Sequence, residues 1–346
     1  MTGSGPKPRG GKMTTRKFLV ALATALPLAI GSAQAEPLKI RAGWSNTPTA
    51  MAPLIFSKKE LLKHYGQSYT MEPIHFKGSA PEITALASGD LDIATLAASS
   101  FASMIENAKI TDVRVIGDEN QDGVDGWYSS QFFVLKDSPI KTVEDLKGKV
   151  LASNAIGGGL DVAIRAMLRK HHINDRRDVT IIEGPFSGMV PMLEEKKADL
   201  VSAVPPFSFV GEAKGTVRTL FTAKDAVGTT EFIFDAARKG FIDKNRAALV
   251  DFTEDWIRAL RWFLEPKNHD EVVKIISDFT KIPPQGLSGW VFTHKDLYRD
   301  PDHRPNLAAL QSNLNIQQEL GFQKTHIDVA QYADTSLVDE AVKRIH

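Results

Sequence analysis

From residue 37 onward, apolar runs of strand length alternate with stretches whose apolar residues recur at helical spacing. Residues 38–42 read as a strand. Residues 52–65 carry apolar positions three and four apart and close at Gly66, the pattern of a helix, and residues 69–76 read as a second strand. A short helix over 81–88, stopped by Gly89, leads to a third strand over 91–95. The same order then returns: strand 149–152, helix 160–171, strand 179–183, helix 188–196, strand 200–203. Strands that alternate with helices build βαβ units and parallel sheets, so the chain predicts an α/β protein of two βαβ lobes.

A shift of 107 residues superposes the two series, setting Ile74 on Ile181, Leu86 on Leu193 and Asp92 on Asp199. In both, a Leu precedes the Asp by six residues. That spacing suits a short helix, a tight turn and a strand entry, with the Leu under the sheet and the Asp at the turn. Two extended runs, residues 126–135 and 229–235, read as crossings between the lobes. Lobe one is then 37–126 plus 228–346, and lobe two is 127–227. Beyond about residue 239 the chain is mainly helical and is expected to pack on lobe one. Its clearest amphipathic stretch, 252–264, places Phe252, Trp256, Leu260 and Phe263 on one face. In open α/β sheets a ligand sits beyond the carboxyl ends of the strands. The loops to watch are therefore 43–49, 77–80, 97–100, 153–159, 184–187 and 204–207.

The first 35 residues follow a different pattern. Arg9, Lys12, Arg16 and Lys17 precede an apolar run over 18–30, and Ala33-Gln34-Ala35 supplies a small-x-small cleavage site. An apolar stretch of about 13 residues is short of the ~20 that span a bilayer, so a secretory signal cleaved after Ala35 is expected, complete already from Met13. The chain has no cysteine. Lipoprotein anchoring, disulfides and thiol-based metal sites are thereby excluded, and a protein free in the periplasm is expected. Its 42% hydrophobic and 24% charged residues suit a globular protein, and 42 basic against 42 acidic residues give no reason to expect nucleic acid as a partner.

Small polar residues gather on the strand exits: Ser45, Asn46, Ser79, Ser99 and Ser100 are able to hydrogen-bond an oxyanion or an amide, or to cap helices locally. Gly157-Gly158-Gly159 opens the helix at 160, where backbone amides attract anions; the run continues Leu-Asp, which is not a nucleotide-binding loop. Trp44, Trp127 and Phe207 are aromatic walls or packing residues at the lobe edges. Glu231, on the return crossing, either favours an amine or amidine from within the cleft or faces solvent at the hinge. Lys77 and His75 are the only basic groups near these loops, so an anionic ligand finds few cations. His171 and His172, beside Arg169 and Lys170, read as positive charge complementing a helix C-terminus rather than as metal ligands. No metal and no cofactor are expected.

Three segments together resemble a known family: Gly43-Trp44 with Pro53-Leu54 and Gly66, then the run from Gly78 to Ala94, then the run from Ser138 to Lys149 after the first crossing. Over nearly all of residues 37–345 the chain is similar to the ABC-transporter substrate-binding proteins of the nitrate, alkanesulfonate, taurine and thiamine-pyrimidine precursor group. The resemblance implies a type II periplasmic-binding fold that closes on a small-molecule ligand. It also implies an ABC permease and ATPase as partners; a monomeric receptor that works by hinge closure without chemistry is expected. It further implies a cleft lined by Trp44, Ser45, Asn46, Ser79, Ser99, Ser100, Asn154 and Gly157; Phe207 and Glu231 join them on their own chemistry. Two other classes stand beside this one. A periplasmic subunit that reports ligand binding to a membrane signalling protein is the first. An enzyme on the same fold is the second, although in Gly184-Pro-Phe-Ser-Gly188 Pro185 stands where a nucleophile elbow has its first glycine.

Overall fold

The computed structural model describes residues 36–345; the leader expected over residues 1–35 lies outside them. The first sheet begins with β1 (Leu38–Trp44), α1 (Ala52–Ile55), β2 (Tyr69–His75), α2 (Ser79–Ser88), β3 (Ile93–Leu96), α3 (Ala98–Glu106) and β4 (Val113–Asp122). The chain then crosses into β5 (Gln131–Leu135), β6 (Val150–Ser153), α4 (Gly159–Lys170), β7 (Thr180–Glu183), α5 (Met189–Glu194) and β8 (Leu200–Ala203). After α6 (Phe207–Lys214), β9 (Val217–Thr222) and α7 (Ala223–Val227), it returns through β10 (Thr230–Arg238). The remainder is α8 (Lys239–Leu264), α9 (His269–Thr280), α10 (Leu307–Glu319) and α11 (Ser336–Ile345).

The strands form two separate five-stranded sheets, ordered β2-β1-β3-β10-β4 and β7-β6-β8-β5-β9. In each, three parallel strands are followed by one antiparallel to its neighbours. That fourth strand is delivered by a crossing: β5 in the second sheet and β10 in the first. Strand alternation divides the second sheet between two cores, Phe132, Leu151 and Leu200 facing one side and Phe133, Ala152 and Val201 the other. The C-terminal helices cover the first sheet, and Phe252, Trp256, Leu260 and Phe263 are all buried beneath α8.

The internal repeat has a mechanical meaning. Arg41 N–H donates to the Asp92 carboxylate at 2.8 Å, and Val150 N–H donates to Asp199 at 3.0 Å. In return Asp92 N–H donates to the Arg41 carbonyl and Asp199 N–H to that of Val150, at 3.0 and 2.7 Å. Each Asp thus closes a reciprocal pair with β1 or β6, the middle one of its sheet's three parallel strands, while Leu86 and Leu193 are buried below. The shift of 107 does not extend to the edge strands. Ala42 pairs with Ile93 and Pro73, whereas Leu151 pairs with Leu200 and Ile181. Ile181 therefore occupies the place of Pro73, not that of Ile74, and the loop that follows in the second sheet is one residue shorter.

The helix expected over 52–65 is only one turn, Ala52–Ile55, followed by a 3₁₀ turn at Lys59–Leu61. Its apolar residues are buried as their spacing requires, but Asp255 of α8 accepts hydrogen bonds from Lys63 and His64 N–H at 2.8 and 2.9 Å. Those backbone donors are thereby drawn away from helical partners.

Candidate ligand cleft

The carboxyl ends of the two sheets meet across a cavity of about 40 Å³. Ala97 and Ser99 reach it from the exit of β3, Gly159 and Leu160 from the start of α4, and Asp122 and Glu231 from the crossings. Asn313 and Gln317 of α10 close it behind. Both crossings turn on glycines in the left-handed region, Gly123 (φ +74°) and Gly228 (φ +74°), a conformation costly for residues with a Cβ. Across the first, Asp122 accepts from Ser129 Oγ at 2.6 Å and from Ser130 N–H at 2.9 Å. Away from the hinge, Arg169 of α4 donates to the carbonyls of Glu319 and Leu320 at 3.2 and 3.1 Å, and Phe209 packs on Trp290 at 5.6 Å. Arg169 and Lys170 stand in the last turn of α4 as expected, Arg169 also serves the end of α10, and His171 is engaged with Glu144 at 2.7 Å.

The loop after β1 is held from beneath by polar side chains. Asn120 Nδ2 donates to the Thr49 carbonyl, Met51 N–H to Glu119, and Arg299 Nη2 to the Pro48 carbonyl, each at 2.9 Å. These anchors lie on β4 and on the segment before α10. The position of the loop therefore depends on both.

Lobe one has an unusual interior. Asp118, Glu119, Glu231 and Asp235 are buried, and burial pushes all four carboxyls up, Asp118 to about 7. Asp118 and Glu231 each have one oxygen with no donor among the described residues. The two carboxyls are neighbours, and the charge of Asp118 adds to burial in pushing Glu231 up. The other Glu231 oxygen accepts from Asn306 N–H at 2.6 Å. His303 is pushed down to about 4 by burial and is neutral. Its Nδ1–H donates to the Asp118 carbonyl at 2.6 Å, which leaves Nε2 facing Asp235 at 3.4 Å.

Of the residues expected at the cleft, Ser99 and Glu231 line the cavity, and Ser100 follows in the first turn of α3. Glu231 is 1% exposed, which removes the solvent-facing alternative, and it accepts a hydrogen bond from Asn306 N–H. Gly157 N–H is taken by Asp161 at 2.8 Å. Trp44 sits at the mouth of lobe one against His75, at 4.4 Å between ring centroids. The Ser45 carbonyl accepts from His75 Nε2–H, and the Asn46 carbonyl accepts from Ala50 N–H. Ser79 begins α2, Asn154 is exposed beyond β6, and Phe207 stacks on Phe186. Trp127 packs on His294 and Tyr298 at the hinge. Asp122, Asn313, Gln317 and, at the mouth, Phe279 escaped the sequence reading. The run Asp118-Glu-Asn-Gln-Asp122 looks like a solvated loop, and nothing local marks α9 or α10 as neighbours of the strand exits.

Two sheets of this order, joined by two crossings, define a two-lobed α/β fold of the periplasmic-binding-protein kind. The NMT1-like family model matches residues 33–277, and the chain belongs to that family. A Bacillus subtilis (strain 168) protein named as a binding protein, YtlA, is 20% identical over 199 residues, 57% of this chain and 60% of that one. The aliphatic sulphonate-binding protein SsuA of Escherichia coli superposes with a TM-score of 0.67 at 17% identity, covering 86% of this chain and 92% of that one. The nitrate-binding protein NrtA of Synechocystis PCC 6803 gives 0.69 at 17% identity, with 90% of each chain covered. The fold also carries an enzyme: the desulfurization enzyme DszB matches at 0.65 and 13% identity over 89% of this chain and all of that one.

Proposed function

We propose that this protein is a periplasmic solute receptor that closes on a small molecule and presents it to an ABC permease and its ATPase. The observation that carries the reading is the cavity itself, whose lining comes from both lobes and both crossings. Binding sites for organic molecules are commonly ~300–1,000 Å³. A space of about 40 Å³ therefore admits a solute only when the lobes part, and Gly123 and Gly228 are placed to allow it. A ligand that touches both lobes then favours the closed form by its differential affinity for that form, without chemistry. The family and the neighbours SsuA and NrtA support the same reading. Among the described residues no helix is long and apolar enough to cross a membrane.

The test is a thermal-shift screen against a broad metabolite library, followed by small-angle scattering with any hit. A compound that raises the melting temperature and reduces the radius of gyration supports the receptor reading. Ser99→Ala should then weaken that compound about five-fold, a net hydrogen bond of ~1 kcal/mol. A library without hits, or binding without compaction, overturns the reading. Recovery with a sensor kinase instead of a permease would transfer the receptor to signalling.

A further inference from the structure

The helix α10 is rooted in lobe one and ends on lobe two. Leu310, Leu314 and, beyond the helix, Ile327 lie in one core of lobe one, and Glu106 of α3 accepts from Lys324 and Thr325 N–H at 2.9 and 2.6 Å. Between these anchors the contacts change sides. Three carbonyls of the last turn are served locally: Leu320 N–H donates to Ile316, Phe322 N–H to Gln317 and Gly321 N–H to Gln318, at 2.9, 2.9 and 3.0 Å. The next two carbonyls, of Glu319 and Leu320, accept from Arg169 of lobe two. Such carbonyls carry the partial negative charge of a helix end, and a guanidinium fork suits a pair of them. Phe322 follows the same course. It is half-buried, yet among the described residues no apolar core of either lobe includes it. Its ring centroid lies 5.4 Å from the Arg165 guanidinium, and a Cβ on Gly157 would stand 3.8 Å from the ring.

The receiving side is built in advance. Asp161 and Asp175, both buried in lobe two, hold Arg165 and Arg169 in place. Guanidiniums fixed in this way lose little freedom on meeting a partner. Arg169 nevertheless keeps 36% of its side chain exposed, so water can replace its bonds to α10 when the lobes part. The helix also walls the cavity with Asn313 and Gln317, and the Gln317 carbonyl pins the turn that carries Phe322. One helix thus joins the solute's chamber to a contact between the lobes away from the hinge. We infer that the end of α10 is a clasp. Arg165 and Arg169 of lobe two grip Glu319, Leu320 and Phe322 of lobe one and hold the lobes together without a solute. The clasp thereby sets how often the cavity opens. This rests on the hinge motion of the receptor reading and adds a gate to it.

The chain has no cysteine, so Ala87→Cys on α2 and Lys197→Cys after α5, both exposed, put one spin label on each lobe. Pulsed dipolar spectroscopy of the exported protein, dialysed free of small molecules, reads the distance between the labels. The expected result is a population mainly at the short, closed distance. Arg169→Gln and Phe322→Ala should each move the closed-to-open ratio about five-fold toward open, the scale of a net hydrogen bond partly exposed to water. Lys170→Ala should leave the ratio unchanged, because Lys170 adjoins Arg169 but bonds the Asp225 carbonyl within lobe two. Thermal unfolding confirms that each variant folds. A wild type already open, variants no more open than the wild type, or equal opening by Lys170→Ala would each overturn the clasp and leave the receptor standing. If instead the variants open and no compound of the metabolite screen closes them, the clasp stands and the receptor reading falls.

Discussion

The two lobes share a strand order and a fastening device but bury charge in different ways. Lobe two matches its interior acids with arginines: Arg165 serves Asp161 and Asp175, and Arg169 also serves Asp175, at 2.7–3.0 Å. Burial alone would push Asp175 up, but the two arginines outweigh it and hold the group below the usual carboxylate range. Lobe one buries Glu82, Glu119, Glu231 and Asp235 with few cations to match them, and all four are pushed up by burial. Where lobe one has Glu82, the shift of 107 puts Met189 in lobe two. Topology therefore does not dictate how an interior is made neutral. Lobe two matches its buried acids with arginines; lobe one buries an ion pair too, Arg299 with Asp296 at 3.0 Å, but adds a group of carboxyls that burial pushes up, and that addition depends on pH.

The sharpest way to break this contrast is steric. A Cβ on Gly117 would lie 1.9 Å from His303 Nε2, on a ring pinned by Asp118, facing Asp235 and packed on Trp256 at 5.0 Å. In lobe two, a Cβ on Gly211 would meet a methyl of Val190 at 2.9 Å, a contact that a small rotation relieves. Gly117→Ala is expected to cost ~3 kcal/mol or more and Gly211→Ala ~1 kcal/mol, in the range of overpacked cores. Urea denaturation of both variants measures the two costs. Equal losses would show that the His303 network yields as readily as an apolar core.

A pH titration should separate the lobes next. Glu82 accepts from Thr95 N–H at 2.7 Å and from its hydroxyl, yet burial outweighs both bonds and its carboxyl rises from 4.5 to about 7. The unfolded chain loses this proton first as pH rises. The stabilisation is complete below about pH 4.5 and is lost as pH climbs past 7. Between pH 5 and 8, Glu82→Gln should lose less stability than the wild type by on the order of 2 kcal/mol. Matching pH slopes in urea midpoints would place the titration elsewhere.

How much of this was legible in the sequence depends on where burial follows polarity. The Asp92 and Asp199 repeat was readable because a Leu and an Asp at fixed spacing encode a helix, a turn and a strand entry. β4 was not readable: its second half is Asp118-Glu-Asn-Gln-Asp122, and all five residues are buried. They are covered by β10 and by the segment around Tyr298 to Asn306, which bonds back to β4 across nearly two hundred residues. Strand exits named the candidate loops, and Ser99 among them lines the cavity between the sheets. The contact of Phe279 with Trp44 was not readable, because only the fold brings α9 to β1.

The smallest effect tests the feature the lobes share. Asp92 and Asp199 hold N–H groups of β1 and β6 respectively, but Arg41 adds a two-pronged contact to Asp92 at 2.7 and 2.9 Å, where lobe two has Val150. Losing Asp199 removes one partly buried backbone bond, ~1 kcal/mol. Losing Asp92 removes such a bond and strips the half-buried guanidinium of its partner, ~2 kcal/mol in all. Arg41→Val with Asp92 kept rebuilds the lobe-two arrangement, and its combination with Asp92→Ala completes the set. A double-mutant cycle should return a coupling near 1 kcal/mol. A coupling of zero would mean that solvent screens the pair completely. The two aspartates would then be equal in energy as well as in place.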